Sequence, residues 1–388
     1  HNALCEVRNM INPFRYGGVV GKDAFCNRNK ELTDLAKAME NGERLFVFSE
    51  RRMGKTSLIR LVLEKLPKNQ FLSAYVDLWP TDGEESFAIA SAKAIAESMA
   101  TTADRMLQAA RQFFSSLTPS ISADSAGNPQ ISFEFGKSGV TAPALEEVLS
   151  APGKIAAKRN RTLVIVFDEF QRILEYNTDL TERSIRSAIQ NQQEVSYIFL
   201  GSRKHLIQKM FVDQSRPLYR AGGHYPLGPI EARDWLPFIR QRFKKSDKEI
   251  SNDLIRSICQ RTGGHPFYTQ HLCHAIWELC ETGTKVAKET IESATRLLLD
   301  RENYAYTALW ESLGLNQRRF LMGIAGEPEG VKVFAADFLQ RYNLRSPGSV
   351  QRAVETLLTK DIIDRSNGSF VISDRFFKIW IDQAHSRI

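Results

Sequence analysis

Cysteine is scarce in this chain of 388 residues: Cys5, Cys26, Cys259, Cys273 and Cys280 are odd in number and include no CxxC pair. That spacing argues against a disulfide framework and against a zinc ribbon, and a reducing cytoplasm is the expected location. Long apolar runs are missing too. No stretch approaches the roughly 18 residues needed to cross a bilayer, and the opening "HNALCEVRNM" lacks the apolar segment of a signal peptide, so no membrane association is expected. His1 stands where an initiator Met would be and reads as a processed or trimmed end. An acidic excess is absent: the net charge of +7 leaves room for an anionic partner, ATP or DNA. What is present is ordinary for a soluble globular protein, 43% hydrophobic and 25% charged, and the length implies two or three domains.

The first stretch with chemistry in it is "SERRMGKTS", Ser49 to Ser57, between the apolar run "RLFVF" and "LIRLVLEKL". It fits the phosphate-loop pattern G-x-x-x-x-G-K-[ST] at Gly54, Lys55 and Thr56 and departs from it at the head, where Ser49 replaces the glycine. Gly54 lets the backbone approach phosphates, Lys55 can reach the β- and γ-phosphates, and Thr56 can offer its hydroxyl to Mg²⁺. The flanks read as a buried strand and a helix with apolar residues at Leu58, Leu61, Val62 and Leu66. A strand, a tight loop and a helix N-terminus make an anion site. The whole run, Ser49, Glu50, Arg51, Arg52, Met53, Gly54, Lys55, Thr56 and Ser57, is therefore the expected nucleotide cradle.

From about residue 30 to 230, strand-like runs alternate with helix-like ones: "RLFVF", "FLSAYVDL", "TLVIVFDEF", "VSYIFLGS" and the weaker "HYPLGPI". Such alternation predicts a parallel sheet covered by helices. Between the second and third strands, near 117–138, "TPSISADSAGNPQISFEFGKS" alternates around a turn-forming "SAGNP" and predicts an inserted hairpin. After "LGPIEARDW" the sequence turns helical, with "TGGHP" as its sharpest turn. From Asn316 three helix-like pieces precede two short apolar runs around Ser366, Asn367, Gly368 and Ser369, the pattern of a winged helix. The expected domains are a core over 1–230, a helical lid over 231–300 and a winged helix over 301–388.

A nucleotide site needs a carboxylate for the metal, and "LVIVFDEF" supplies Asp168 at the end of an apolar strand, with Glu169 next to it. Asp168 is expected to share Mg²⁺ with Thr56, and Glu169 to orient and deprotonate the attacking water. The next strand ends in "GSRKH". Ser202 is placed there to contact the γ-phosphate or the water, with Arg203 beside it, or else to cap the following helix. Arg220, in "RPLYRAGG", is a candidate charge stabiliser, within the chain or across to a neighbour.

In order along the chain, "NPFRYGG…FCNRNKEL", "SERRMGKTSLIR", "LVIVFDEFQRIL", "FLGSRKHLI", "RPLYRAGG", "TGGHPFY" and "ISDRFFKIWI" resemble the prokaryotic, archaeal-type AAA+/STAND-like ATPases. The resemblance implies an ATP-binding α/β core of the P-loop NTPase (AAA+/ASCE) type, a helical lid and a C-terminal winged helix. It implies also that Asn12, Pro13, Phe14, Tyr16 and Gly17 lie near the adenine. On the same grounds Arg28 and Glu31 close the N-terminal box and Pro266 of the lid abuts the nucleotide. ATP or ADP with Mg²⁺ are the implied cofactors, turnover is expected to be slow, and a homo-oligomer is compatible.

Two further patterns carry competing readings. His265, His271, Cys273, His274 and Cys280 lack a recognised metal spacing, and Cys273 and Cys280 read as small buried hydrophobes. Arg345, Arg352 and Lys360 put a basic face on or beside the third helix of the winged helix, interrupted by Glu355 and Asp361. That face suits DNA phosphates, or the domain serves as a latch or protein contact. Three functions follow: an ATP-hydrolysing switch coupled to a partner or effector protein, an ATP-dependent DNA-binding factor resembling origin or transposition regulators, and a nucleotide-binding scaffold without turnover.

Overall fold

The computed structural model describes residues 11–135, 141–366 and 368–385. Cys5 and the rest of 1–10, the end of the expected hairpin at 136–138, and Asn367 of the expected wing turn lie outside them. The described residues divide into two compact units, one of 29–51 with 55–227, the other of 11–28 with 52–54 and 228–385.

The first unit begins with α1 (Asn29–Glu40), β1 (Arg44–Phe48), α2 (Lys55–Lys65), β2 (Phe71–Asp77), α3 (Glu84–Met99) and α4 (Ala103–Phe113). It continues through β3 (Leu117–Ala123), β4 (Pro129–Phe135), α5 (Thr141–Arg159), β5 (Thr162–Asp168), α6 (Leu180–Asn191), β6 (Val195–Gly201), α7 (Lys204–Val212) and β7 (Gly223–Pro226). Five strands form one parallel sheet in the order β2-β5-β6-β1-β7. β5 and β6 read as near-continuous apolar runs because they lie inside the sheet, and Leu163 to Phe167 and Tyr197 to Leu200 are buried. Phe46, Phe167, Phe170, Phe199 and Phe211 pack ring against ring through the same core, stacked at Phe46–Phe199 and Phe167–Phe199 and tilted at Phe46–Phe211 and Phe170–Phe199. Register then decides where chemistry can sit. Phe48 is level with Gly201, and Asp77 with Asp168, so the carboxyl ends of β1, β5 and β6 open side by side, as ligand sites require in open parallel sheets.

The inserted hairpin is β3 with β4, a separate antiparallel ribbon. Its alternation places Leu117, Ile131 and Phe133 on a buried face that joins the core of α3 and α4, while Ser120 and Ser122 are exposed. At the tip Asp124 accepts the N–H groups of Ala126 and Asn128, an Asx turn.

The second unit contains α8 (Ala232–Lys245), α9 (Asn252–Thr262), α10 (Pro266–Leu279), α11 (Lys288–Glu311), α12 (Leu315–Gly326), α13 (Ala336–Arg341), α14 (Pro347–Thr359), β8 (Ile363–Ser366), β9 (Ser369–Ile372) and α15 (Arg375–His385). Caps mark the boundaries: Ser251 accepts from Leu254 N–H, and His265 accepts from Phe267 N–H with Pro266 in the first helical turn. One hydrophobic core runs from Phe14 and Cys26 through Trp235, Phe243 and Ile276 to Phe320 and Phe377.

Three features differ from the sequence expectation. Residues 11–28 pack with the lid helices rather than with the sheet, because Phe14 and Cys26 are buried in that helical core. α11 runs unbroken across the boundary expected at 300/301. An additional helix, α15, follows the wing and buries Phe376, Phe377 and Ile381. Among the described residues no helix is long and apolar enough to cross a membrane.

Candidate functional site

β1 delivers its loop at Ser49, which is fully buried and pairs its N–H with Gly201 of β6 at 3.3 Å. Positive φ occurs in this loop at Arg52 (58°) and Gly54 (85°), not at Ser49, so its first position has no conformational need for glycine. Ser49 instead uses its side chain. The hydroxyl accepts from Lys55 Nζ at 2.9 Å and donates to the Glu50 carbonyl at 2.9 Å, and Lys55 Nζ also reaches that carbonyl at 3.2 Å. The lysine is thus buried and held across the loop by oxygen atoms. α2 starts at Lys55 and turns the positive end of its dipole toward the loop.

At the end of β5, Asp168 gathers three donors. Oδ2 accepts from Thr56 Oγ1 at 2.9 Å and from the Tyr75 hydroxyl, and Oδ1 from the Glu169 N–H at 2.9 Å. Burial, then the charge of Asp168, pushes the Tyr75 hydroxyl well above the usual phenol range, so Tyr75 stays a donor. Thr56 Oγ1 and Asp168 are hard oxygen ligands within hydrogen-bond reach of each other, a donor set that fits Mg²⁺.

Glu169 turns the chain with a left-handed backbone, φ 53° and ψ 43°, into a short helix at Phe170–Glu175. Its Oε2 accepts from Ser202 Oγ at 2.6 Å and from Gln171 Nε2, which also lies 3.2 Å from Ser202 Oγ. Gln171 Oε1 is buried without a protein partner among the described residues. A Cβ on Gly201 would come within 3.0 Å of that oxygen and 2.4 Å of Ile207, so glycine there admits both side chains. Ser202 therefore points at the glutamate and does not cap α7, whose N-cap is Arg203 without a side-chain bond. Arg203 faces Glu175 at 3.6 Å. Arg220 is exposed, with its guanidinium 5.1 Å from the Tyr219 ring centroid, and is not drawn to the acidic pair. Tyr75 and Gln171 escaped the sequence reading. A tyrosine on an alternating strand and a glutamine two residues after Glu169 carry no spacing signal, although a polar residue inside the apolar "DEFQRIL" was the available hint.

The residues implied to meet adenine assemble within the second unit. Asn12 donates to the His274 carbonyl at 3.1 Å and to Glu278 at 2.8 Å, and accepts from Phe14 N–H at 3.1 Å. Phe14 is buried against Phe243, and Tyr16 stacks on His271 with centroids 3.9 Å apart. Pro13 is half-buried, Gly17 has φ 85°, and Pro266 starts α10, the helix that carries His271 and His274. Arg28, buried at φ 83°, donates to the carbonyls of Met53 at 3.3 Å and Gly228 at 2.9 Å. Arg52 lies over Phe267, 4.4 Å from its centroid. Glu31 sits in the first turn of α1. Burial, then the charges of His274, Arg301 and Arg52, pulls His271 down to about 4, and its Nδ1 is buried without a partner among the described residues. Cys273 and Cys280 are buried.

Residues 25–272 match the family described as an ATPase domain predominantly from Archaea, and residues 304–383 the one described as a probable winged helix domain. Among solved structures the chain is similar to a Walker-type ATPase of Pyrococcus abyssi, at 17% identity and a TM-score of 0.61 over 93% of this chain and 97% of that one. It is similar also to the ORC2 protein of Aeropyrum pernix in its ADPNP and ADP complexes, at 14% identity and a TM-score of 0.52 over 97% and 96%. At these identities the likeness is one of fold. No curated protein sequence matches the chain.

Proposed function

The chain belongs to the family of ATPase domains predominantly from Archaea and ends in a winged helix domain, and on that premise we propose that it is a Mg²⁺-dependent ATP-hydrolysing switch. The observation that carries this reading is the acidic pair: Asp168 bonded to Thr56, with Glu169 beside it held by Ser202 and Gln171. Lys55 exchanges the oxygens of Ser49 and Glu50 for phosphate oxygens. Thr56 and Asp168 would hold the ion, which would supply charge stabilisation to the transferring phosphoryl group. Glu169 orients the attacking water and takes its proton, while Ser202 and Gln171 fix the carboxylate's direction. By the family resemblance, Asn12, Pro13, Phe14, Tyr16, Gly17 and Pro266 take the base. The lid and the winged helix share one core, with the Tyr268 hydroxyl 3.4 Å from the Ser373 carbonyl, which supports transmission of nucleotide state along the second unit to a partner or effector. Action in the cytoplasm fits this role, and in an assembly of copies the exposed Arg220 is available to a neighbour's phosphates.

A second reading, ATP-dependent DNA binding, rests on Arg345 and Arg352. Both are exposed and line one cleft of about 360 Å³ with Asn316 and Ser349. A scaffold without turnover is disfavoured because Lys55, Thr56, Asp168 and Glu169 are all in place.

Calorimetry with a hydrolysis assay tests the first reading. Lys55→Ala should lose ATP affinity. Glu169→Gln should keep ATP bound and lose turnover by about 10²–10⁴-fold, because the amide cannot accept a proton. Parent-like hydrolysis in the Gln variant would remove Glu169 from the role of base.

A further inference from the structure

We propose that the first unit has a second ligand site, at the end of its sheet opposite the phosphate loop, that takes a small organic anion of the nucleoside diphosphate class. This inference does not rest on the ATPase reading. A cleft of about 780 Å³ opens where β2 and β5 begin, in the size range of small-molecule sites. Lys68, Arg105, Lys158, Arg159 and Arg161 line it, and Glu97 is its one carboxylate. Lys68, Arg105, Arg159 and Arg161 have no carboxylate partner among the described residues, and Lys158 lies over the Phe113 ring at 5.8 Å.

Helix dipoles explain only part of this cluster. Lys158 and Arg159 close α5, where cations complement the negative end. Arg105 occupies the first turn of α4, where the dipole opposes it, and Lys68 and Arg161 lie outside helices. Like charges around one cleft repel one another, and a bound anion lowers that repulsion. Leu66, Phe71, Leu72 and Met99 supply apolar lining among these cations. A concave site whose lining joins apolar side chains to several cations suits a ligand with both a ring and phosphates. An extended polyanion instead needs an open stripe.

The test titrates GDP into the full-length Lys55→Ala variant by calorimetry, so that the phosphate loop contributes least. Binding at one GDP per chain is expected, competed by inorganic pyrophosphate and weakened at least about tenfold by adding Arg105→Glu with Arg161→Glu. A thermal melt reports whether that chain is folded. Arg105→Gln with Arg161→Gln carries the same expectation if the reversals unfold it. Absent GDP binding, or GDP affinity unmoved by either pair, overturns the proposal. So does loss confined to a single-stranded oligonucleotide of about 20 nucleotides, which would make the cleft a nucleic-acid surface.

Discussion

Gln171 is the side chain on which the direction of the Glu169 carboxylate turns, since it touches both that carboxylate and Ser202. Gln171→Leu removes both bonds, of which the one to the charged carboxylate alone is worth roughly 1.5–3 kcal/mol, so kcat for ATP should fall at least about tenfold with KM nearly unchanged. Equal losses in kcat and ATP affinity would mean a structural role instead. A second residue sets a pH limit. His271 binds its proton only near pH 4 in the folded chain, against about 6.5 when unfolded. The unfolded state therefore takes up the proton first, and the stability this neutral ring contributes is present above about pH 6.5 and lost as pH falls toward 4. The loss amounts to at most about 3 kcal/mol. His271→Phe, which keeps a ring against Tyr16, should lose less melting temperature than the parent between pH 7 and 4.5; parallel losses would exclude His271 as the cause. Legibility at this scale followed chemistry. Lys55, Thr56, Asp168 and Glu169 are recognisable because spacing and side-chain type together specify a task, whereas Tyr75 and Gln171 act through register and burial, which only the folded sheet creates.

Among the elements, the turn between α9 and α10 is the least tolerant. Gly264 has φ 65°, and a Cβ there would sit 2.2 Å from the Ile230 carbonyl oxygen. Its own carbonyl accepts from Ile230 N–H and Trp235 Nε1, each at 3.1 Å. Gly264→Ala should therefore destabilise by more than about 2 kcal/mol. Gly263→Ala next to it, at φ 61° with only Arg375 nearby at 3.6 Å, should cost about 1 kcal/mol. Chemical denaturation distinguishes them, and equal losses would refute the steric argument. "TGGHP" announced this turn in the sequence. α15 was hidden because its apolar positions, Phe376, Phe377, Ile379, Trp380 and Ile381, span fewer than two helical turns beside a strand pattern. α11 crossed an expected boundary because "KETIESATRLLLDRENYAYTALWE" contains no glycine or proline to stop it.

At the scale of the whole molecule, the two readings of the winged helix predict opposite patterns. Phe376 packs on Tyr268 and His271, with centroids 5.2 and 5.6 Å away, so under the switch reading Phe376→Ala should speed ADP release several-fold while Arg345→Glu with Arg352→Glu leaves it unchanged. Stopped-flow displacement of a labelled ADP measures this. Unchanged release in Phe376→Ala, together with salt-sensitive DNA binding abolished by the arginine pair, would favour the DNA reading. The order of domains was legible from alternating and then uniformly helical periodicity. The allegiance of residues 11–28 was not, since sequence adjacency to α1 says nothing about which core receives Phe14.

That allegiance sets a timetable for synthesis. Asn12 bonds to His274, 262 residues further on. At about 5–20 residues per second, this segment waits on the order of ten to fifty seconds after emerging before its helices exist, by which time every strand of the large sheet has been made. Throughout that interval Phe14 and Tyr16 are without their final neighbours, and an aromatic pair that ends in a packed core begins in water.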